Sequence, residues 1–257
     1  MWFNVSRGTM KILSVVNQKG GVGKTTTALN VSAALAVLDY KVLVVDFDPQ
    51  GNLSSGFGIG LSDRQDKTVY NVLLDESGNI NDIIFKTKIN NLDVLTADTN
   101  LSAFEIEVFN KDNREFILSN LLDRISNKYD YVIIDCPPSL GFLTINSLAC
   151  SNYVLIPLQC EFFALEGLSH LLETLERVKV NLNPKLTING VLLTMYDRRN
   201  KLTVRGCLGD LVYKTVIPRN VKLTESTSFG IPTIIYDQNC SGSIAYINFV
   251  KEMVKRL

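Results

Sequence analysis

The chain has 257 residues, 46% of them apolar, and its 26 lysines and arginines are balanced by 26 aspartates and glutamates. It can therefore bury a large core, while a formal net charge of zero supplies no global attraction to nucleic acid or acidic lipid, so any such binding needs a local patch. The five cysteines, Cys136, Cys150, Cys160, Cys207 and Cys240, contain no C-x-x-C pair for zinc, iron–sulfur or thiol-redox work, and no run approaches the ~20 apolar residues of a membrane span.

Residues 1–9 lack the apolar centre of a signal peptide and read as an extension without structure, which places one domain over residues 10–257 of a cytoplasmic protein. The first strand is expected at residues 11–16, followed by a glycine-rich turn and a helix over residues 25–38. A second strand, residues 41–46, ends in an aspartate, and the four glycines of residues 51–60 mark the most loop-like stretch of the chain. Strands follow at residues 92–95, 131–135, 153–157 and 187–194, with helices near 114–126, 165–180 and 242–255. In the helix at 165–180, Leu165, Leu168, Leu172, Leu175 and Val178 make one apolar stripe, which is core packing. His170 on that helix has no cysteine or serine arrangement around it and reads as structural. Runs such as Val42-Leu43-Val44-Val45 are apolar without alternation, so both faces of the sheet are covered. The fold class is α/β: a doubly wound, mostly parallel sheet with helices on both faces.

Between the first strand and its helix lies Lys19-Gly20-Gly21-Val22-Gly23-Lys24-Thr25-Thr26, which reads as a P-loop. Its glycines let successive N–H groups face phosphate oxygens, and the helix start adds a favourable dipole. Lys24 is placed to bridge the β- and γ-phosphates of ATP, the Thr25 hydroxyl to ligate Mg2+, and Thr26 to stand near the α-phosphate. The strict motif has glycine where Gln18 stands, so this is a variant loop. Lys19 is superfluous in a monomer, because Lys24 already supplies the bridging charge; it suits a nucleotide held by a second subunit. Asp46-Phe47-Asp48-Pro49 lies at the carboxyl end of its strand, where ligands bind in such sheets; Asp48 suits orientation of the attacking water and Asp46 the metal shell. Ile133-Ile134-Asp135 has the form of a Walker B strand, in which Asp135 holds magnesium through a water.

Together the residues from Asn17 to Thr26, from Asp46 to Asn52 and from Ile133 to Pro138 resemble the ParA/Soj/MinD group of deviant Walker A ATPases, and the likeness continues through Gln159–Gly167 and Ile217–Ser226. The small chromosomal ParA, or Soj, type is the most similar. The resemblance implies an ATP-dependent homodimer that binds double-stranded DNA nonspecifically, is stimulated to hydrolyse ATP by a ParB-type partner, and acts in chromosome or plasmid partitioning on the nucleoid. It implies that Lys19 crosses the dimer, that Asp48 is the hydrolytic aspartate, that Gly20 lies where subunits meet, and that Pro218 and Asn220 flank adenine. Basic residues gather at Arg198, Arg199, Lys201, Arg205, Lys214, Arg219 and Lys222; the resemblance aligns Arg199 and Lys222 with DNA-contacting positions, and Arg219 of the same basic stretch is a further candidate DNA contact. The chain is several residues shorter than the family pattern between Arg199 and Tyr213. A MinD-like membrane ATPase would carry an amphipathic tail beyond the last helix, and this chain stops at Leu257. A nucleotide-switched regulator of replication or transcription with little turnover is the other alternative.

Overall fold

The computed structural model describes residues 9–75, 78–161, 164–197 and 204–257. Seven short, β-branched runs form one sheet: β1 Lys11–Val15, β2 Val42–Asp46, β3 Ile84–Lys86, β4 Leu92–Leu95, β5 Tyr131–Asp135, β6 Tyr153–Gln159 and β7 Thr187–Thr194. Their order is β3-β4-β2-β5-β1-β6-β7, and all pairs are parallel except β3 with β4 at the edge. This is the doubly wound α/β architecture that the sequence implied.

Eleven α-helical segments are described: α1 Lys24–Val37, α2 Asn52–Gly56, α3 Val69–Leu74, α4 Phe104–Glu107, α5 Ile117–Asp123, α6 Phe142–Cys150, α7 Ala164–Asn181, α8 Val204–Leu208, α9 Val221–Ser228, α10 Thr233–Tyr236 and α11 Ser241–Val254. Two apolar layers explain the non-alternating strands. In β5, Val132 and Ile134 face the layer built with α3, α5, α6 and α7, whereas Tyr131 and Ile133 face the layer built with α1 and α11. Helix α1 buries Ala28, Ala33, Ala34 and Ala36, small residues that let it lie close to both the sheet and α11, where Tyr246 and Phe249 are fully enclosed. Burying each such aromatic is worth about 1.5–3 kcal/mol.

On α7, Leu168, Leu175 and Val178 are buried as the stripe required, Leu172 is half-buried, and Leu171 joins them; the side chain of Leu165 lies outside the described residues. His170 is exposed. The expected helix at 114–126 is shorter: Arg114–Phe116 is a 3-10 turn entered through Asn113 at φ 54°, and α5 ends at Asp123. The stretch at 51–60 is not simply a loop, because Ser54 donates its backbone N–H (2.8 Å) and hydroxyl (2.7 Å) to Asp46 and so seats α2 against the end of β2. Strand β3 and helices α2, α3, α4, α6, α8, α9 and α10 have no counterpart among the expected elements.

Candidate active site

The loop between β1 and α1 is built by its glycines and anchored by its neighbours. Gly21 and Gly23 adopt φ 75° and φ 87°, the left-handed region where a side chain is strained. The Asn17 amide donates to the Pro157 carbonyl (2.7 Å), its oxygen accepts from the Lys19 N–H (2.9 Å), and the Gln18 amide donates to the Gly167 carbonyl (2.9 Å). On the other side the Thr194 hydroxyl donates to the Val22 carbonyl (2.7 Å). Gln18, the departure from the strict motif, therefore ties the loop to α7. Helix α1 begins at Gly23 with no side-chain cap and no acidic residue in its first turn, which leaves its leading amides for an anion.

Lys24 is buried beneath this loop, and its ammonium donates to the Lys19 carbonyl at 3.3 Å. Burial pushes its pKa below the ordinary lysine value, with Asp135 the largest opposing influence. Asp46 and Asp135 end the adjacent strands β2 and β5 in direct register, and both are fully buried. Asp46 is well supplied with donors from Ser54, yet burial still lifts its pKa from 3.8 to about 6. Asp135 differs: neither carboxylate oxygen has a hydrogen-bond partner in the structure. Burial, and next the charge of Asp46, push its pKa well above the ordinary range, against the pull of the Thr25 hydroxyl and Lys24. A buried carboxylate without donors, beside a threonine hydroxyl at a helix start, fits a site completed by a cation and its waters. Among the described residues no three His, Cys, Asp or Glu converge as a self-contained metal cage; magnesium needs none, since it keeps several waters and takes one or two protein ligands plus phosphate.

Asp48 opens the turn that follows β2. Its side chain accepts from the Gln50 N–H (3.0 Å) and its carbonyl from the Gly51 N–H (2.9 Å). Lys19 is exposed and forms an ion pair with Glu161, itself exposed. Gly20 has no left-handed backbone, and a Cβ built on it would meet nothing within 4 Å, so nothing inside this chain demands glycine there.

Asn220 serves the fold directly, since its side chain accepts from the Lys222 N–H (2.8 Å) as the cap of α9 and donates to Ser241 (2.7 Å), while Pro218 bridges to Tyr196 beside β7. Lys222 is paired with Glu225 at 2.9 Å and lies 5.5 Å from the Tyr236 ring centre, so much of its charge is already compensated. Arg219 is exposed. Arg205 is half committed, one guanidinium nitrogen donating to the carbonyls of Tyr213 and Lys214. Arg198, Arg199 and Lys201 lie outside the described residues. Sequence reasoning passed over Ser54, Thr194 and Glu161 as parts of the site: Thr194 and Glu161 reach it from distant segments, and Ser54, eight residues after Asp46, lies in a stretch that reads as a loop; only the position of Thr194 at a strand's carboxyl end signalled it.

A family model described as an AAA domain matches residues 10–188. The chromosome partitioning protein ParA of Caulobacter vibrioides is 49% identical, over 98% of this chain and 97% of that protein. The chromosome-partitioning ATPase Soj of Treponema pallidum is 47% identical, over 96% of this chain and 98% of that one. Among solved structures, a Mycobacterium smegmatis protein described as cobyrinic acid a,c-diamide synthase, with bound ATP analogue and magnesium, is 33% identical with a TM-score of 0.84, covering 96% of this chain and 94% of its own.

Proposed function

This chain belongs to the ParA/Soj family of chromosome-partitioning ATPases, and from that premise we propose that residues 10–257 form one ATPase domain whose nucleotide state switches dimerisation and DNA binding. ATP is the substrate and Mg2+ the cofactor. The observation that carries the site reading is Asp135, a buried carboxylate with no donor, beside Lys24 and Thr25. In this reading the amides of residues 20–26 and the Lys24 ammonium hold the phosphates, Thr25 and Asp135 hold magnesium, and Asp46 supports that shell. Magnesium, when bound, neutralises charge on the β- and γ-phosphates. Asp48 orients the water that attacks the γ-phosphorus and takes its proton as the bond to ADP breaks. Pro218 and Asn220 bring the loop before α9 to the adenine.

Lys19 leaves Glu161 and reaches the γ-phosphate of the partner's nucleotide, placing positive charge where the transition state develops negative charge. The open surroundings of Gly20 support a contact outside the chain: glycine there serves close approach of a second subunit. The ATP-bound homodimer then presents a doubled basic face, with Arg199, Arg219 and Lys222, to nonspecific double-stranded DNA on the nucleoid, and a ParB-type partner stimulates hydrolysis and release. Among the described residues no helix is long and apolar enough to cross a membrane.

The test is DNA co-sedimentation with ATP or ADP, combined with phosphate release by the wild type and Asp48→Ala. ATP-dependent pelleting that persists in Asp48→Ala, with hydrolysis lowered by about a hundredfold, is the expected outcome. Full-rate hydrolysis by Asp48→Ala, or equal pelleting with ADP, would overturn the reading.

A further inference from the structure

Arg64 lies in no recognised motif, yet it is among the most buried charged groups in the protein, with 2% of its surface exposed. One terminal nitrogen of its guanidinium donates to the Gly51 carbonyl (3.0 Å) and the Ala97 carbonyl (2.9 Å), and the other donates to the Ser55 hydroxyl (3.1 Å). Its Nε has no partner, and among the described residues no carboxylate pairs with it. An arginine cannot shed its proton, so enclosing it without a counter-charge costs stability that an apolar residue would not. A simple packing role leaves that cost without a purpose.

The three acceptors show what the cation holds. Gly51 closes the turn that Asp48 opens, and a Cβ on Gly51 would come within 2.6 Å of the guanidinium and 2.9 Å of the Ala97 oxygen, so glycine and arginine fit only together. Ser55 belongs to the first turn of α2 and donates its N–H to the Gly51 carbonyl at 3.1 Å. Ala97 follows the end of β4; its N–H donates to the Ser54 hydroxyl (3.2 Å), which donates to Asp46. The Ala97 segment is thus held at its N–H by the Ser54–Asp46 chain and at its carbonyl by Arg64.

We infer that Arg64 is a positioning residue for hydrolysis: its planar fork locks the Asp48–Gly51 turn to the end of β4 and so fixes where the Asp48 carboxylate stands. This rests on the assignment of Asp48 as the water-orienting group. It predicts a loss in turnover rather than in nucleotide binding, because the contacts of Arg64 lie on the Asp48 side and not on the phosphate loop.

The experiment uses the full chain with Arg64→Lys, Arg64→Gln, Asp48→Ala and the Arg64→Lys/Asp48→Ala double variant. Calorimetry with Mg-ATP gives affinity and the fraction of competent sites, and single-turnover phosphate release at saturating ATP gives the rate per competent site. Arg64→Lys keeps the charge but loses the fork, so it tests geometry even if Arg64→Gln does not fold. ATP affinity is expected to stay within about threefold, and the rate per competent site to fall about tenfold to a hundredfold, as small misplacements of a reacting group do. Adding Arg64→Lys to Asp48→Ala is expected to cause no further loss, since both act through one carboxylate. Wild-type rates in both folded Arg64 variants, or in Arg64→Lys if it alone folds, would overturn the inference, as would a full multiplicative loss in the double variant. A wild-type rate in Asp48→Ala would overturn the site assignment itself, and the inference with it.

Discussion

Replacing Asp46 with asparagine separates the electrostatic cost of the site from its hydrogen bonds. The carboxyl is fully buried and its pKa rises from 3.8 unfolded to about 6 folded. A folded pKa above the unfolded one means that the native state binds the extra proton, so this carboxyl lowers stability as pH rises from about 4 to about 6 and holds a constant cost above that, about 3 kcal/mol. Asparagine retains an oxygen for the two Ser54 bonds (2.8 and 2.7 Å), but its amide then faces the Asp48 N–H, which donates to Asp46 at 3.4 Å, a loss of about 1 kcal/mol. Asp46→Asn without nucleotide is therefore expected to be about 2 kcal/mol more stable than wild type near pH 8, with about 2 kcal/mol of that difference lost by about pH 4.5. In a domain of this size that is a rise of about 4–8 °C in Tm near pH 8. Urea unfolding of both proteins across the pH range measures it. A difference between the two proteins that stays flat with pH, or grows on acidification, would refute the reasoning.

Asp135→Asn is expected to remove most of the magnesium-dependent gain in ATP affinity, about 10–100-fold, while magnesium-free ADP binding is retained; titration calorimetry with and without magnesium decides it. Gly20→Ala should melt within about 1 kcal/mol of wild type, because its Cβ meets nothing in the chain, yet fail to form ATP-dependent dimers in analytical ultracentrifugation. Lys19→Ala should share that dimerisation defect with ATP binding by the monomer largely kept. Glu161→Gln frees Lys19 from an exposed pair worth about 0.2–1 kcal/mol, and a dimer breaks one such pair in each subunit, so ATP-dependent dimerisation should tighten by no more than about thirtyfold, and weaker dimers would argue against a parked lysine.

The centre of the fold was legible in the sequence because its signals are local. The apolar runs ending at Asp46 and Asp135, and the glycines before Lys24, each announce an element and its function within a few residues. What escaped is set by distant partners. Strand β3 is three residues at the edge, paired antiparallel with β4, and three residues carry no period. Helix α6 begins just after Pro137-Pro138, a turn signal, and six of its nine residues are apolar, so no polar face marks it; it is buried against α5 and the sheet. Arg64 is one arginine in a loop whose three acceptors come from segments thirteen and thirty-three residues along the chain at Gly51 and Ala97, and nine at Ser55. Asn220 and Lys222 show the converse. Their sequence context suggested ligands, and the fold also employs one as a helix cap and holds the other in an ion pair.

The pairing of Asp46 with Asp135 across β2 and β5 has a further consequence. Both strands are apolar on both sides, so a slip of one residue would cost little in hydrophobic burial, yet it would swing one carboxylate to the opposite layer. Greasy packing alone does not police that alignment. The polar bonds at the other rim do: the Lys41 N–H binds the Asp130 carboxylate (2.7 Å), and the Asp130 N–H binds the Lys41 carbonyl (2.8 Å). About 16 Å of strand separates these clasps from the acidic tips. A change at Asp130, remote from any phosphate, is thus a change in the spacing of the acidic pair.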